Sequence, residues 1–177
     1  MPRRIAIELD GVLAPDVGRD PRPWESLNEN EPGVIGRLAE TASSQHWEII
    51  FLTQHQRETS ATEQMDAQQW LESNGFALPC VYITSGLRGE IASALHLDLV
   101  IASRPESCEN VVTESNAQTI LIWSGERGGL PANARRPEIS IARSFSECLD
   151  ILNKVDDFGP KGVGLFAWVR RLFGWAA

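Results

Sequence analysis

Two acidic side chains, Glu8 and Asp10, stand two positions apart where the apolar run Ile5 to Leu9 ends and Gly11 follows. A glycine at that point lets the chain turn sharply, because it enters backbone conformations that other residues avoid. An acid that follows Ile5 and Ile7 on a buried strand is costly unless it meets a cation or hydrogen-bond donors. Two carboxylates at this spacing can converge on one divalent ion, and magnesium takes oxygen ligands of this kind. The chemistry open to such a pair is metal binding joined to acid/base work.

Few other residues compete for such a role. Cys80, Cys108 and Cys148 are far apart and lack the close Cys/His pairing of zinc sites, so they are expected to be free thiols in a reducing cytosol. His55 follows Gln54 as a lone histidine, a type found more often on a surface or in a core than in catalysis. The formal charge of -8 and pI near 4.9 oppose nonspecific binding to nucleic acid, and no nucleic-acid partner is expected. The start, Met1-Pro2-Arg3-Arg4, runs straight into a short strand without a signal-peptide core, and a cytoplasmic location is expected.

The elements that must position the acids alternate regularly. Ile5 to Leu9 reads as a buried strand, and Ala14 to Pro32, broken by proline and glycine, as a loop. A helix over Pro32 to Thr41, a strand over Trp47 to Thr53, a helix from about Thr59 to Ser73 and a strand over Cys80 to Thr84 follow. The alternation continues with a helix Arg88 to Leu95, a strand Leu97 to Ala102, a helix Pro105 to about Glu114, a strand Thr119 to Trp123 and a helix Ser144 to Val155. Gly125 to Pro137 reads as a mobile surface loop. Such alternation predicts an α/β fold, a Rossmann-like three-layer sandwich with a mainly parallel central sheet, spanning residues 1–155. Ligands in these sheets sit beyond the carboxyl ends of the strands, here Asp10, Thr53, Ser85 and Ala102 to Arg104. Residues 156–177 read as a linker and an amphipathic C-terminal helix, with Leu165, Phe166, Trp168, Val169, Leu172, Phe173 and Trp175 at helical intervals.

The segment Glu8-Leu9-Asp10-Gly11-Val12-Leu13 resembles the Asp-x-Asp-Gly-Val/Thr signature of the haloacid dehalogenase superfamily of phosphohydrolases. Phe51-Leu52-Thr53 is similar to its second motif, and Leu97 to Val112, LDLVIASRPESCENVV, resembles a run found in small 5'-nucleotidase and deoxyribonucleotidase-like members. The matches fall in the right order and together are far more specific than any alone. The resemblance implies a site in which residue 8 is the nucleophile, Asp10 the general acid/base, and Glu8 and Asp10 the ligands of Mg2+. It also implies that Thr53 and Arg88 hold the phosphoryl group, Arg88 standing where the family has a lysine. The carbonyl of residue 10 lies near the metal in the family's arrangement. No cap domain is expected, since Ala14 to Pro32 is short and Gln54 to Gly86 makes only a normal crossover.

This sequence departs from the family's pattern at the chemistry itself. Glu8 is one methylene longer than aspartate, and a misplacement of about 1 Å in a reacting atom costs on the order of a hundredfold in rate. Ala102 and Ser103 replace two expected acids, which weakens any magnesium site. Glu106 and Glu109 lie nearby on the following helix, and Arg104 is expected to support the loop. Thr53 either touches phosphate or caps the next helix. Trp24 either stacks on a ligand or closes the site edge. The first expectation for function is a catalytically impaired domain that binds a phosphorylated small molecule or protein. The alternatives are an active magnesium-dependent phosphomonoester hydrolase, or an interaction protein working through its aromatic tail. That tail would pack on its own domain, on a twin subunit in a homo-oligomer, on a membrane surface or in a partner's groove.

Overall fold

In the computed structural model, residues 2–16, 24, 28–54, 61–84, 86–126 and 129–154 are described below. The expectations placed on His55 and on the 156–177 tail lie outside them. Strand β1 (Arg4–Glu8) is followed by α1 (Val34–Gln45), β2 (Glu48–Gln54), α2 (Ala61–Ser73), β3 (Cys80–Thr84) and α3 (Arg88–Ala94). Then come β4 (Leu99–Ala102), α4 (Pro105–Glu114), β5 (Gln118–Ile122), β6 (Ile139–Ala142) and α5 (Phe145–Lys154). The six strands form one sheet in the order β3-β2-β1-β4-β5-β6, and every neighbouring pair is parallel. The first strand therefore lies inside the sheet between β2 and β4, and the strand order reverses beside it.

Side chains alternate across the pleat, so each strand feeds two cores. Ile5 and Ile7 join Phe51, Leu99, Ile101 and Ile120 under Val34, Leu38, Trp70, Leu71 and Leu149, which places α1, α2 and α5 on one face. Ala6, Leu52 and Val100 point to the opposite face, under Ile91, Ala92 and Val111 of α3 and α4. Glu8 has the parity of Ala6 and so faces α3 and α4 as well. That is the three-layer arrangement expected of alternating strands and helices.

Two expectations require correction. Residues 139–142 form a sixth strand that the sequence pattern did not reveal, because ISIA is four residues long and carries Ser140 at a buried position. The Gly125 to Pro137 segment is also more than a surface loop. Leu130 and Ala134 are buried with Ala102, Cys108, Leu121 and Ile139, and Ala132–Arg135 is a short 3-10 helix. Among the described residues no helix is long and apolar enough to cross a membrane.

Helices α1 and α3 end alike. His46 (φ 56) and His96 (φ 51) adopt the left-handed conformation, and the residues after them, Trp47 and Leu97, donate back to Ala42 and Ala92 at 2.9 Å. A glycine normally fills this place, because a side chain there costs roughly 1–2 kcal/mol. We expect His46→Gly and His96→Gly each to stabilise the domain by about 1 kcal/mol in urea unfolding.

The thiols test the burial pattern. Cys80 is exposed, whereas Cys108 and Cys148 are buried. Burial pushes the Cys108 thiol up to about 12 and Cys148 still higher, so both stay protonated and unreactive in the folded state. Native protein should react with a thiol reagent at Cys80 alone, and unfolded protein at all three cysteines. The same shifts mean that stability holds below the ordinary thiol range, near about 8.5, and falls as pH rises above it.

Candidate functional site

The site is built where β1 and β4 end side by side, at the reversal of strand order. Past Glu8 the chain turns back tightly, with Leu13 and Ala14 both donating to the Leu9 carbonyl and Gly11 donating to Ala14 at 2.8 Å. Gly11 has φ 75, and a Cβ built on it would lie 2.6 Å from Ser103 Oγ. Both the backbone conformation and the closeness of Ser103 thus demand glycine. Asn30 fastens this turn from the far end of the loop. Its amide donates to Leu13 O at 2.8 Å, and its side-chain nitrogen donates to Val12 O and Ala14 O, both at 3.1 Å.

Glu8 and Arg88 form a buried ion pair. Arg88 Nε donates to Glu8 Oε1 at 2.7 Å, with the two side chains only 7% and 4% exposed. The second carboxylate oxygen accepts the backbone N–H of Ser103 at 3.2 Å. The Ser103 hydroxyl donates to the Asp10 carbonyl at 2.8 Å, so one serine ties β4 to the turn after β1. Thr53, fully buried at the end of β2, donates to Asp10 Oδ2 at 3.0 Å. The structure therefore gathers Glu8, Asp10, Thr53 and Arg88 in one place. Thr53 turns toward Asp10 and is not seen capping a helix among the described residues.

The neighbouring residues divide differently. Arg104 Nη2 pairs with Asp16 Oδ2 at 2.9 Å, at the partly exposed rim. Burial works against its charge, but the hydrogen bond and charge of Asp16, helped by Glu8 and Asp10, outweigh this and hold the guanidinium ionised. Glu109 turns away, accepting from Arg136 at 2.9 Å and Asn133 at 3.2 Å, and Glu106 is exposed. Trp24 packs against Trp70 with ring centroids 5.5 Å apart and is 2% exposed, so it belongs to the core. Ala102 is buried in the apolar cluster under α4.

Sequence reasoning overlooked Asn110. Its Oδ1 accepts the Gly89 N–H at 2.6 Å, and Gly89 lies so close to the Asn110 backbone that no side chain would fit. This contact from α4 fixes the start of α3 and with it Arg88. The signal was present in the sequence, since Asn110 belongs to the LDLVIASRPESCENVV run.

The donor set fits magnesium poorly. Among the described residues no group of three or more His, Cys, Asp or Glu side chains is placed to hold a metal. Glu8, one of the two acids expected to bind it, already faces a guanidinium and a backbone N–H.

The ion pair should show itself in stability. Arg88→Met strands the Glu8 charge in a buried site and should cost about 3–5 kcal/mol. Adding Glu8→Gln removes that charge, so the double variant should be more stable than Arg88→Met alone by urea unfolding. Additive effects would mean that the two side chains are not coupled.

No protein-family model matches this sequence, and no curated protein matches it. Solved structures do. D,D-heptose 1,7-bisphosphate phosphatase from B. bronchiseptica, determined with magnesium and phosphate, superposes with a TM-score of 0.61 at 12% identity, covering 86% of this chain and 98% of that one. The corresponding phosphatase from Burkholderia thailandensis gives a TM-score of 0.61 at 12% identity, covering 86% of this chain and 99% of the other. Identity this low speaks for architecture alone. The chain thus has an α/β fold with a six-stranded, all-parallel sheet, a Rossmann-like core that it shares with these two phosphatases.

Proposed function

We propose that this chain is a non-hydrolytic protein on a phosphatase fold, a pseudoenzyme that works by binding. The observation that carries this is the state of Glu8. In-line attack on phosphorus needs a carboxylate oxygen free to approach the substrate. Here one oxygen of Glu8 is held by Arg88 at 2.7 Å and the other by the Ser103 N–H at 3.2 Å. Breaking a buried, paired carboxylate out of such contacts adds to the barrier, and the longer glutamate also changes the line of attack.

Binding is supported by the donors that remain. Arg88 Nη1 is buried and has no hydrogen-bond partner among the described residues. A buried guanidinium N–H of this kind is costly unless a water or ligand oxygen meets it. An oxygen-rich group, such as that of a phosphorylated small molecule or protein, supplies such an acceptor. The bacterial phosphatase of like fold was solved with phosphate, which is consistent with an oxyanion at the strand ends. The three free thiols suit a reducing cytosol as the place of action.

Assays with phosphomonoesters and nucleoside monophosphates, with and without magnesium, provide the test. Wild-type protein should release phosphate no faster than Asp10→Ala. Hydrolysis well above that control, and abolished in Glu8→Gln, would overturn the proposal and make Glu8 a competent nucleophile or metal ligand.

A further inference from the structure

We infer that Ser103, with Arg88 balancing the charge of Glu8, makes the link that a divalent cation would make, so that this site holds its geometry without metal. The inference deepens the non-hydrolytic function proposed above and rests on it for the identity of the site, but it makes a separate claim about charge.

Consider what a cation would do there. It would draw the Glu8 carboxylate and the Asp10 carbonyl onto one centre and neutralise the local negative charge, using oxygen ligands at about 2.0–2.1 Å for magnesium. Ser103 already joins the same two groups, through its N–H to Glu8 Oε2 at 3.2 Å and its O–H to the Asp10 carbonyl at 2.8 Å. Arg88 supplies the positive charge, 2.7 Å from Glu8 Oε1.

Hydrogen bonds alone do not exhaust these oxygens, since a carbonyl has two lone pairs and a carboxylate about four acceptor positions. Charge decides the matter. A dication beside Glu8 would lie against a buried guanidinium with little water to screen the repulsion. Finally, residue 102 is a buried alanine and residue 103 this serine, so neither adds a carboxylate to offset the guanidinium.

The departures at residues 8, 88 and 103 then form one coherent change. A glutamate reaches an arginine, and a serine bridges the carbonyl. The serine bridge replaces a link that a bound metal would provide, while Arg88 keeps the positive charge of the lysine that the family carries there.

Manganese offers a readout independent of activity, because bound Mn2+ drops out of the free-ion electron paramagnetic resonance signal. Titrations of the full chain and of Asp10→Asn should coincide, and the wild-type melting temperature should be the same in MgCl2 as in NaCl of equal ionic strength. A loss of free Mn2+ signal in wild type that Asp10→Asn abolishes would overturn the inference. Arg88→Gln removes the competing charge, and Ser103→Asp replaces the bridging hydroxyl with a carboxylate, which covers the case in which Arg88→Gln does not fold by circular dichroism. A loss of free signal in either folded variant supports the inference, and wild-type behaviour in both would overturn it. Hydrolysis that persists in EDTA would instead sink the non-hydrolytic function while leaving the metal-free site intact. Site-dependent Mn2+ binding without hydrolysis would do the reverse.

Discussion

A carboxylate at the end of a central strand can leave water only if something charged comes with it, and in this protein that is Arg88, 2.7 Å from Glu8. The pairing has structural reach. Glu8 ends β1, Arg88 opens α3, and the two are 80 residues apart in the chain. The ion pair therefore ties the sheet's interior strand to a helix of the opposite layer. Ion pairs of this kind seldom add net stability over an apolar packing of the same shape, but losing one partner is severe. The pair thus constrains the whole edge of the sheet more than it strengthens it.

The other contacts at the edge are arranged around that constraint. Arg88 can meet Glu8 only if α3 begins at the right height, and the Asn110 side chain sets this by accepting the Gly89 N–H. Glu8 keeps its second oxygen satisfied only because β4 runs beside β1 and delivers the Ser103 amide. Ser103 reaches the Asp10 carbonyl because Gly11 has no side chain in its way. Thr53 on β2 completes the group through Asp10. Three parallel strands, one helix start and one tight turn thus converge on two carboxylates. Convergence at the reversal of strand order is what makes such a position a ligand site in α/β proteins.

A hydrolase and a binding protein need different things from this geometry. Turnover needs a mobile nucleophilic oxygen and a charge that stabilises the transition state. Satisfying every oxygen of Glu8 instead favours a fixed ground state, and Asp10, locked to Thr53, is restrained in the same way. The remaining buried Arg88 N–H is a donor without a protein acceptor among the described residues, and it is the feature on which the proposed binding role rests.

Much of this was legible in the sequence. The alternation of short apolar runs with amphipathic segments specified the layers and the parallel sheet, because a strand buried on both faces must be apolar throughout and its crossover helix must carry one apolar stripe. The placement of Glu8, Asp10, Thr53 and Arg88 near one another followed from their positions at strand ends or just beyond them. The short strand at residues 139–142 did not follow, since four residues with a buried Ser140 carry no periodicity of their own and become a strand only by pairing with β5. Nor did the roles of Asn30, Asn110 and Ser103, whose partners lie 16–18, 21 and 93–95 residues away. Sequence determined which groups are available at the strand ends. Which oxygen each donor reaches depends on distances of a few tenths of an ångström between distant segments, and only tertiary packing sets those.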